Sequence, residues 1–181
     1  KPYWQLGALA HSPDHALLAY AVDDRGSELS TVRFRDLATG RDLPDAIPDT
    51  RGGIVWANDS RTLFYVRLDD NHRPMFVYRH TLGEPADADV LVYEEGDHGF
   101  YVGVGKTQSN GFILIDVHDH QTSECRLIDA DDPTAAPRMV APRVPGHQYD
   151  IEHCGDRLII TTNSGGAVDF RVMTAPVGRP G

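Results

Sequence analysis

An internal repeat constrains the fold of this chain more than any other feature of its sequence. Short apolar runs recur at steps of 45, 50 and 45 residues, and they begin at Leu18, Leu63, Ile113 and Leu158. A second apolar series keeps the same steps, at Val32, Val77, Leu127 and Val172. Two series in one register indicate a repeated structural unit, and a period of this length is typical of solenoids and propellers.

Each unit has the pattern of four short strands. The first-series runs follow turns rich in Pro, Gly, Asn and Asp, such as Ser12–Asp14 and Ala57–Ser60, which are residue types that tight turns favour. Another apolar run precedes each turn, and a weaker fourth strand is predicted around Arg41–Leu43, Val90–Tyr93 and Arg138–Val140. No window of a dozen residues sustains a helical apolar stripe, so almost no helix is expected. Four strands per unit predict an all-β fold built from propeller blades.

The unit count predicts a β-propeller arc of about three and three-quarter four-stranded antiparallel blades. The blades are expected at about 6–47, 53–93, 100–142 and 148–175, and the fourth lacks its outer strand. Because propellers close with roughly four to eight blades, and because no initiator Met is present, both ends are expected to be cuts through a longer polypeptide. The innermost strands, around Ala8, Ile54, Val104 and Tyr149, would line a central channel.

Composition excludes several classes of function. The chain has 17 Lys and Arg against 27 Asp and Glu, a net charge of −10, which argues against binding to nucleic acid or to an anionic membrane. No apolar run approaches the roughly 18 residues of a membrane span. Two cysteines are too few for a disulfide framework, so reduced, partly buried thiols in a cytoplasmic protein are expected; a Cys125–Cys154 bridge is the less favoured alternative.

Two motifs resemble catalytic or phosphate-binding sequences but fail on spacing or context. Gly105–Thr107 looks like the end of a P-loop, yet position 100 is Phe and a strand, not a helix, is predicted next. Ser109 is the nearest approach to Gly-x-Ser-x-Gly, but Thr107 stands where the first Gly belongs. Both segments are therefore interpreted as a strand end and a turn, and no nucleotide cofactor is predicted.

A metal site is the weaker alternative for Asp116, His118 and His120. Alternate residues of a strand share one face, so these three side chains could converge on zinc, although the segment also has the character of a solvated strand end. Paired carboxylates are interpreted as solvated charges of connectors and occur at Asp69–Asp70, Glu94–Glu95 and Asp131–Asp132. The sequence assigns no catalytic, cofactor-binding or metal-binding residue.

Seven motifs, in order and with matching gaps, resemble the propeller of the oligopeptidase B group within the prolyl oligopeptidase family of serine peptidases. The resemblance runs from about Tyr3 to Pro176. Its segments are Ser12–Tyr20, Arg33–Gly40, Val55–Tyr65, Val77–His80, Val92–Glu95, Gly105–Thr107 and Thr122–Glu124.

The resemblance implies a seven-bladed propeller that caps an α/β-hydrolase domain. In that family the hydrolase domain holds the catalytic Ser, Asp and His, and the propeller acts as a gate that admits short peptides, which oligopeptidase B cleaves after Arg or Lys. None of the catalytic positions has a counterpart here, so this chain alone is expected to be inactive. The expected partners are the hydrolase domain of the same polypeptide and short basic peptides. The alternative is a stand-alone propeller that binds a protein or peptide without peptidase activity.

Overall fold

The computed structural model describes residues 3–180, which form antiparallel strands in three sheets. The first sheet has the order β1-β2-β3-β4-β5-β6-β7, and its strands are β1 (Gln5–His11), β2 (Leu17–Asp23), β3 (Ser30–Asp36), β4 (Asp42–Trp56), β5 (Thr62–Leu68), β6 (Pro74–Thr81) and β7 (Val90–Glu94). The second, ordered β11-β10-β9-β8, contains β8 (Tyr101–Lys106), β9 (Phe112–His118), β10 (Ser123–Asp129) and β11 (Arg138–Met139). The third, ordered β12-β13-β14, contains β12 (Tyr149–Cys154), β13 (Arg157–Thr162) and β14 (Arg171–Pro176).

These strands confirm the predicted all-β class and the predicted strand runs. Within residues 3–180 the only helical segments are two 3₁₀ turns of three residues, Ala86–Ala88 and Ser164–Gly166, so the expectation of almost no helix is also confirmed. None of these segments is long and apolar enough to cross a bilayer. Both cysteines are free, Cys125 buried and Cys154 exposed; the alternative of a disulfide is therefore wrong, and only one thiol is buried.

Strand β4 corrects one sequence prediction. Separate strands were expected around Arg41–Leu43 and at Gly53–Trp56, but one 15-residue strand covers both. Its first half pairs with β3 and its second half with β5, with register shifts between the two. Asp49 and Gly52 have positive φ, 56° and 82°, which bends the strand where it passes from one neighbour to the other. The Pro and Gly residues near this bend are visible in the sequence, but they do not indicate that one strand pairs with both β3 and β5.

The strands form four consecutive units, which we define by their strands. Unit 1 is β1 to β3 with residues 42–50, unit 2 is residues 51–56 with β5 to β7, unit 3 is β8 to β11, and unit 4 is β12 to β14. Three apolar clusters fill the spaces between consecutive units. Phe34 and Tyr65 meet between units 1 and 2, Phe64 and Ile115 between units 2 and 3, and Leu127 contributes to the cluster between units 3 and 4.

Units 2 and 3 make a close backbone contact at Gly53. A Cβ added at this glycine would lie 2.9 Å from the Val104 carbonyl oxygen of β8, closer than nonbonded atoms tolerate. Gly53 does not have a positive φ. Glycine is required at this position because the β4 backbone lies directly against the Val104 carbonyl group of β8, which leaves no room for a side chain. Gly105, in the same neighbouring strand, has nothing within 4 Å of an added Cβ.

A buried charged cluster closes the other end of the same interface. Arg143 donates to both carboxylate oxygens of Glu95, and its Nε lies 3.4 Å from Glu124 Oε2. Arg126 pairs with Glu124 at 2.7 Å, and Arg143 stacks over the Phe100 ring. Glu95 and Glu124 are 7% and 4% exposed, so the interpretation of Glu94–Glu95 as a solvated pair is wrong for Glu95.

The environment of Glu95 favours its ionised form. Burial would raise the pKa of Glu95, but the Arg143 guanidinium, the Asp97 amide and the Tyr93 hydroxyl outweigh it, and the pKa is lowered. A carboxylate whose folded pKa is lowered stabilises the fold above its unfolded pKa, and that stabilisation is lost as pH falls through the folded value. The cluster therefore supports the fold at neutral pH and weakens in acid.

The close approach at Gly53 predicts an unequal effect of two glycine substitutions. Gly53→Ala should lower the free energy of unfolding by about 1–3 kcal/mol, because the methyl group pushes β4 away from β8. Gly105→Ala, with open space around the added Cβ, should change it by less than about 0.5 kcal/mol. Urea unfolding followed by circular dichroism measures both, and equal effects would contradict the close contact.

The charged cluster predicts a pH-dependent loss of stability. Arg143→Met should destabilise the chain by about 3 kcal/mol at pH 7, because the buried Glu95 loses its partner and Glu124 keeps only Arg126. The difference from wild type should shrink as pH falls, because the unpaired Glu95 of the variant protonates first and the wild type then loses its ion pair as pH falls through the lowered folded pKa of Glu95. Arg41→Met, at an exposed position, is the matched control and should have little effect; a deficit independent of pH would count against this account.

Candidate functional site

The turns that follow the first strands of units 1 to 3 (residues 12–15, 57–60 and 107–110) lie beside the end of β12 and its turn in unit 4 (residues 152–155), and we call these four segments the turn rim. The Asp14 amide donates to Ser60 Oγ at 3.1 Å, which joins units 1 and 2. Asn58 Nδ2 donates to the Asn110 carbonyl at 3.0 Å, which joins units 2 and 3. The Gln108 amide donates to Glu152 Oε2 at 3.0 Å, which joins units 3 and 4.

A Ser–His pair is part of this rim. His153 Nε2 lies 2.8 Å from the Gly155 carbonyl oxygen and donates to it, which leaves Nδ1 to accept the Ser109 hydroxyl at 2.8 Å. A Cβ on Gly111 would lie 2.9 Å from His153 Nδ1, so the pair depends on that glycine. Ser109 lies in a turn between two strands, as predicted, and not at the strand-to-helix elbow of a hydrolase nucleophile. The pair therefore links units 3 and 4.

A cleft of about 580 Å³ opens where the rim meets the first strands of units 1 and 2. Its floor is apolar and includes Ile54 and Trp56, whose Nε1 donates to the Ala10 carbonyl at 3.0 Å. Its wall is polar and includes His11, His15 and Lys106. Sequence reasoning missed this cleft, because its residues come from three units and no local motif marks them.

Lys106 closes one side of the cleft. Its Nζ donates to Asn58 Oδ1 at 2.6 Å, and the same amide donates to Asp131 Oδ1 at 2.7 Å. Burial lowers the pKa of Lys106, and the more distant charges of Asp131 and Asp59 only partly oppose that shift. The motif Gly105–Thr107 thus ends β8 and is followed by strand β9, as predicted, and its lysine faces a cleft instead of a helix N-terminus.

The proposed metal ligands do not assemble. Asp116 and His118 lie on β9 and bond to each other, Oδ2 to Nδ1, at 2.8 Å, but β9 ends at His118 and His120 is an exposed residue beyond it. Burial raises the pKa of Asp116, and His118 opposes the shift. Within residues 3–180 no three His, Cys, Asp or Glu side chains converge as a metal site would require.

A second buried group of ionisable residues joins units 1 and 2. His80, 1% exposed, places Nδ1 2.7 Å from Asp89 Oδ1 and Nε2 3.7 Å from Asp45 Oδ1. The Tyr65 hydroxyl donates to Asp89 Oδ2 at 2.7 Å. Burial and Asp89 both raise the pKa of Tyr65, so the phenol stays protonated as the donor. The surrounding core residues separate this network from solvent. Its hydrogen bonds and ion pairs hold β6 against the start of β4.

The first strands of units 1, 2 and 3 are neighbours, but not all of the predicted channel residues are open. β1 contacts β4, and β4 contacts β8. Ala8 and Val104 are half-buried, whereas Ile54 and Tyr149 are 7% and 4% exposed and belong to the apolar clusters. The Tyr149 hydroxyl accepts from the Cys125 amide and donates to the Ala141 carbonyl, so this side chain points into the protein.

The sequence of this chain is similar to those of known peptidases. The chain is 42% identical over 177 residues to dipeptidyl aminopeptidase BI of Pseudoxanthomonas mexicana, and the match covers 97% of this chain and 24% of that protein. It is 36% identical over 166 residues to protease 2 of Moraxella lacunata, covering 91% and 24%. The chain thus spans about a quarter of the length of these relatives.

Comparison with solved structures and with protein families indicates the same family. The structure of oligopeptidase B from Leishmania major superposes with a TM-score of 0.93 at 32% identity, covering 99% of this chain and 26% of that one. The family of the prolyl oligopeptidase N-terminal beta-propeller domain matches residues 1–181. The predicted resemblance is confirmed: this chain belongs to the N-terminal β-propeller domain of the prolyl oligopeptidase family.

Proposed function

We propose that this chain is the gating, substrate-access segment of a cytoplasmic, oligopeptidase B-like serine endopeptidase that cleaves short peptides after Arg or Lys. The observation that carries the proposal is the match of the whole chain to the propeller domain of this peptidase family. The chain itself holds no Gly-x-Ser-x-Gly elbow, so the nucleophile belongs to an α/β-hydrolase domain of the same polypeptide. The propeller limits which substrates reach that domain.

We propose further that units 1 to 4 are blades of a seven-bladed ring, at about 6–47, 53–93, 100–142 and 148–175. Both ends of the arc support this arrangement. Trp4 and Leu9 are 63% and 60% exposed on unit 1, and Val168 and Val172 are 88% and 69% exposed on unit 4. Contiguous exposed apolar side chains are typical of surfaces that another element covers. The third sheet has three strands, so β14 is also open to a further strand.

The net charge is consistent with basic peptide substrates. A charge of −10 raises the local concentration of cationic peptides near the propeller, an effect that weakens with salt. Whole-chain charge does not locate the specificity pocket, which in this proposal lies on the hydrolase domain.

A second candidate activity has a specific observation in its favour. The relative with 42% identity bears the name of a dipeptidyl aminopeptidase, whereas the oligopeptidase B structure is 32% identical. An enzyme of the first kind removes dipeptides from a free amino terminus, and an endopeptidase accepts a blocked one. The two activities therefore differ in a property that substrates can test directly.

The assay uses the intact polypeptide that carries this chain and two chromogenic substrates ending in Arg. The first has a blocked amino terminus and the second is a dipeptide with a free one. Hydrolysis of the blocked substrate, abolished by a serine-directed inhibitor, is the expected result. Hydrolysis of the free dipeptide alone would assign the dipeptidyl activity instead.

The 181-residue chain alone is the control and should release no chromophore above the rate in buffer. If the folded intact polypeptide hydrolyses neither substrate, the peptidase proposal is overturned. The stand-alone binding propeller then becomes the better interpretation.

A further inference from the structure

We propose that the cleft beside Lys106 is a carboxylate-binding subsite, and that its ligand is the carboxyl-terminal residue of a short peptide. The peptide identity of the ligand rests on the proposed function, whereas the anion site itself rests on the cleft alone. The cleft combines a polar wall that carries the Lys106 ammonium with an apolar floor, and a terminal residue carries both a charge and an apolar body.

The charge of the cleft lining distinguishes it from the rest of this acidic chain. The described residues that line it include Lys106, His11 and His15 and no carboxylate. Four further clefts each contain at least two carboxylates, and examples are Asp42 in the cleft on unit 1 and Asp150 in the cleft between units 3 and 4. In a chain with 27 acidic residues, this is the cleft that an anion enters with the least repulsion.

Lys106 supplies the principal donor. Its ammonium group forms one hydrogen bond, to the neutral Asn58 side chain, and has no salt bridge in residues 3–180. An ammonium carries three donors, so two remain for a ligand. The half-buried charge is also incompletely compensated, because the nearest acid in this network, Asp131, is held behind Asn58. A bound carboxylate would complete that compensation.

Two histidines extend the polar wall. His11 Nδ1 lies 3.0 Å from the Ser12 carbonyl oxygen and donates there, so Nε2 is an acceptor in the neutral ring and donates to a carboxylate only in the imidazolium form. The His15 ring lies 4.5 Å from the His11 ring, centroid to centroid, at a tilt of 33°, and forms no hydrogen bond among the described residues. These groups lie on unit 1, opposite Lys106 on unit 3, so a ligand would be held between units.

The cleft is also preorganised, because two of its lining side chains are fixed by hydrogen bonds in the absence of a ligand. Asn58 is held by three hydrogen bonds. Its backbone N–H donates to the Ala130 carbonyl at 2.8 Å, and its side-chain Nδ2 donates to the Asn110 carbonyl and to Asp131 Oδ1. Trp56, 3% exposed, is fixed by its bond to the Ala10 carbonyl. Groups that are already held in place lose little conformational entropy on binding.

The test measures binding of two tripeptides to the 181-residue chain by titration calorimetry at low ionic strength. Ala-Ala-Phe with a free carboxylate should bind, and the same peptide with a carboxyl-terminal amide should bind at least about tenfold more weakly, because it lacks the charge. Added salt should weaken the first interaction. Equal binding of the acid and the amide, or no binding of the acid, overturns the proposal.

Variants assign the interaction to the cleft. Lys106→Gln should weaken binding of the acid by about tenfold or more, and Lys106→Arg should retain most of it, since the charge remains. Arg41→Gln removes one positive charge from an exposed position outside the cleft and should leave binding unchanged. Circular dichroism shows that each variant is folded. An equal loss in Lys106→Gln and Arg41→Gln would show that only the overall charge matters and overturns the site.

A third peptide, an amide that ends in Glu, separates the two sources of a carboxylate. Weak binding of this peptide supports the terminal carboxylate; binding equal to that of the acid, with the same dependence on Lys106, supports the site but assigns it to acidic side chains. Because this experiment involves no hydrolysis, its failure leaves the peptidase assay unaffected. A failed peptidase assay likewise leaves the anion site standing.

Discussion

Burial of both faces of the central sheets is the constraint on which the rest of this structure depends. Strand β5 shows it clearly, because five consecutive residues from Thr62 to Val66 are buried. Leu63 and Tyr65 face unit 1, and Phe64 between them faces unit 3. Successive side chains of a strand point to opposite faces, so such a strand cannot be stable in an isolated sheet. Unit 2 therefore needs a neighbour on either side, and the four units are joined by a similar apolar cluster at each of their three interfaces.

The polar contacts follow the same repetition. Trp56 and Ala10 are 46 residues apart, Lys106 and Asn58 are 48 apart, and Ser109 and His153 are 44 apart. These separations are close to the repeat of 45 to 50 residues in the apolar series. The bonds thus connect nearly equivalent positions of adjacent units, which is the expected consequence of stacking similar sheets side by side. One apolar period positions both the core and the turn rim.

This relationship explains how much the sequence could predict. Strand positions and turns depend on local patterns, and the runs at Leu18 and Leu63 lie within β2 and β5. The ion pair of Glu95 with Arg143 joins residues 48 positions apart, so Glu95 looked like an ordinary loop charge. The repeat itself was the signal that could have found it: a carboxylate and a guanidinium one period apart on adjacent units are candidates to pair. No comparable signal predicted that β4 is one continuous strand, because the Pro and Gly residues within it are residue types that are common in loops.

The same geometry explains why a ligand site would form between units and not within one. Inside a unit, polar backbone groups are consumed by strand pairing, and apolar side chains fill the sheet faces. At the turn rim the strands end, and side chains such as Lys106 and His11 project over an interface whose apolar floor, at Trp56, continues from the core. A polar wall with one cation above an apolar floor is thus a product of three consecutive units meeting. Any movement of one unit against the next would change the distance between His11 and Lys106, so a ligand bound to both would favour one spacing of the units.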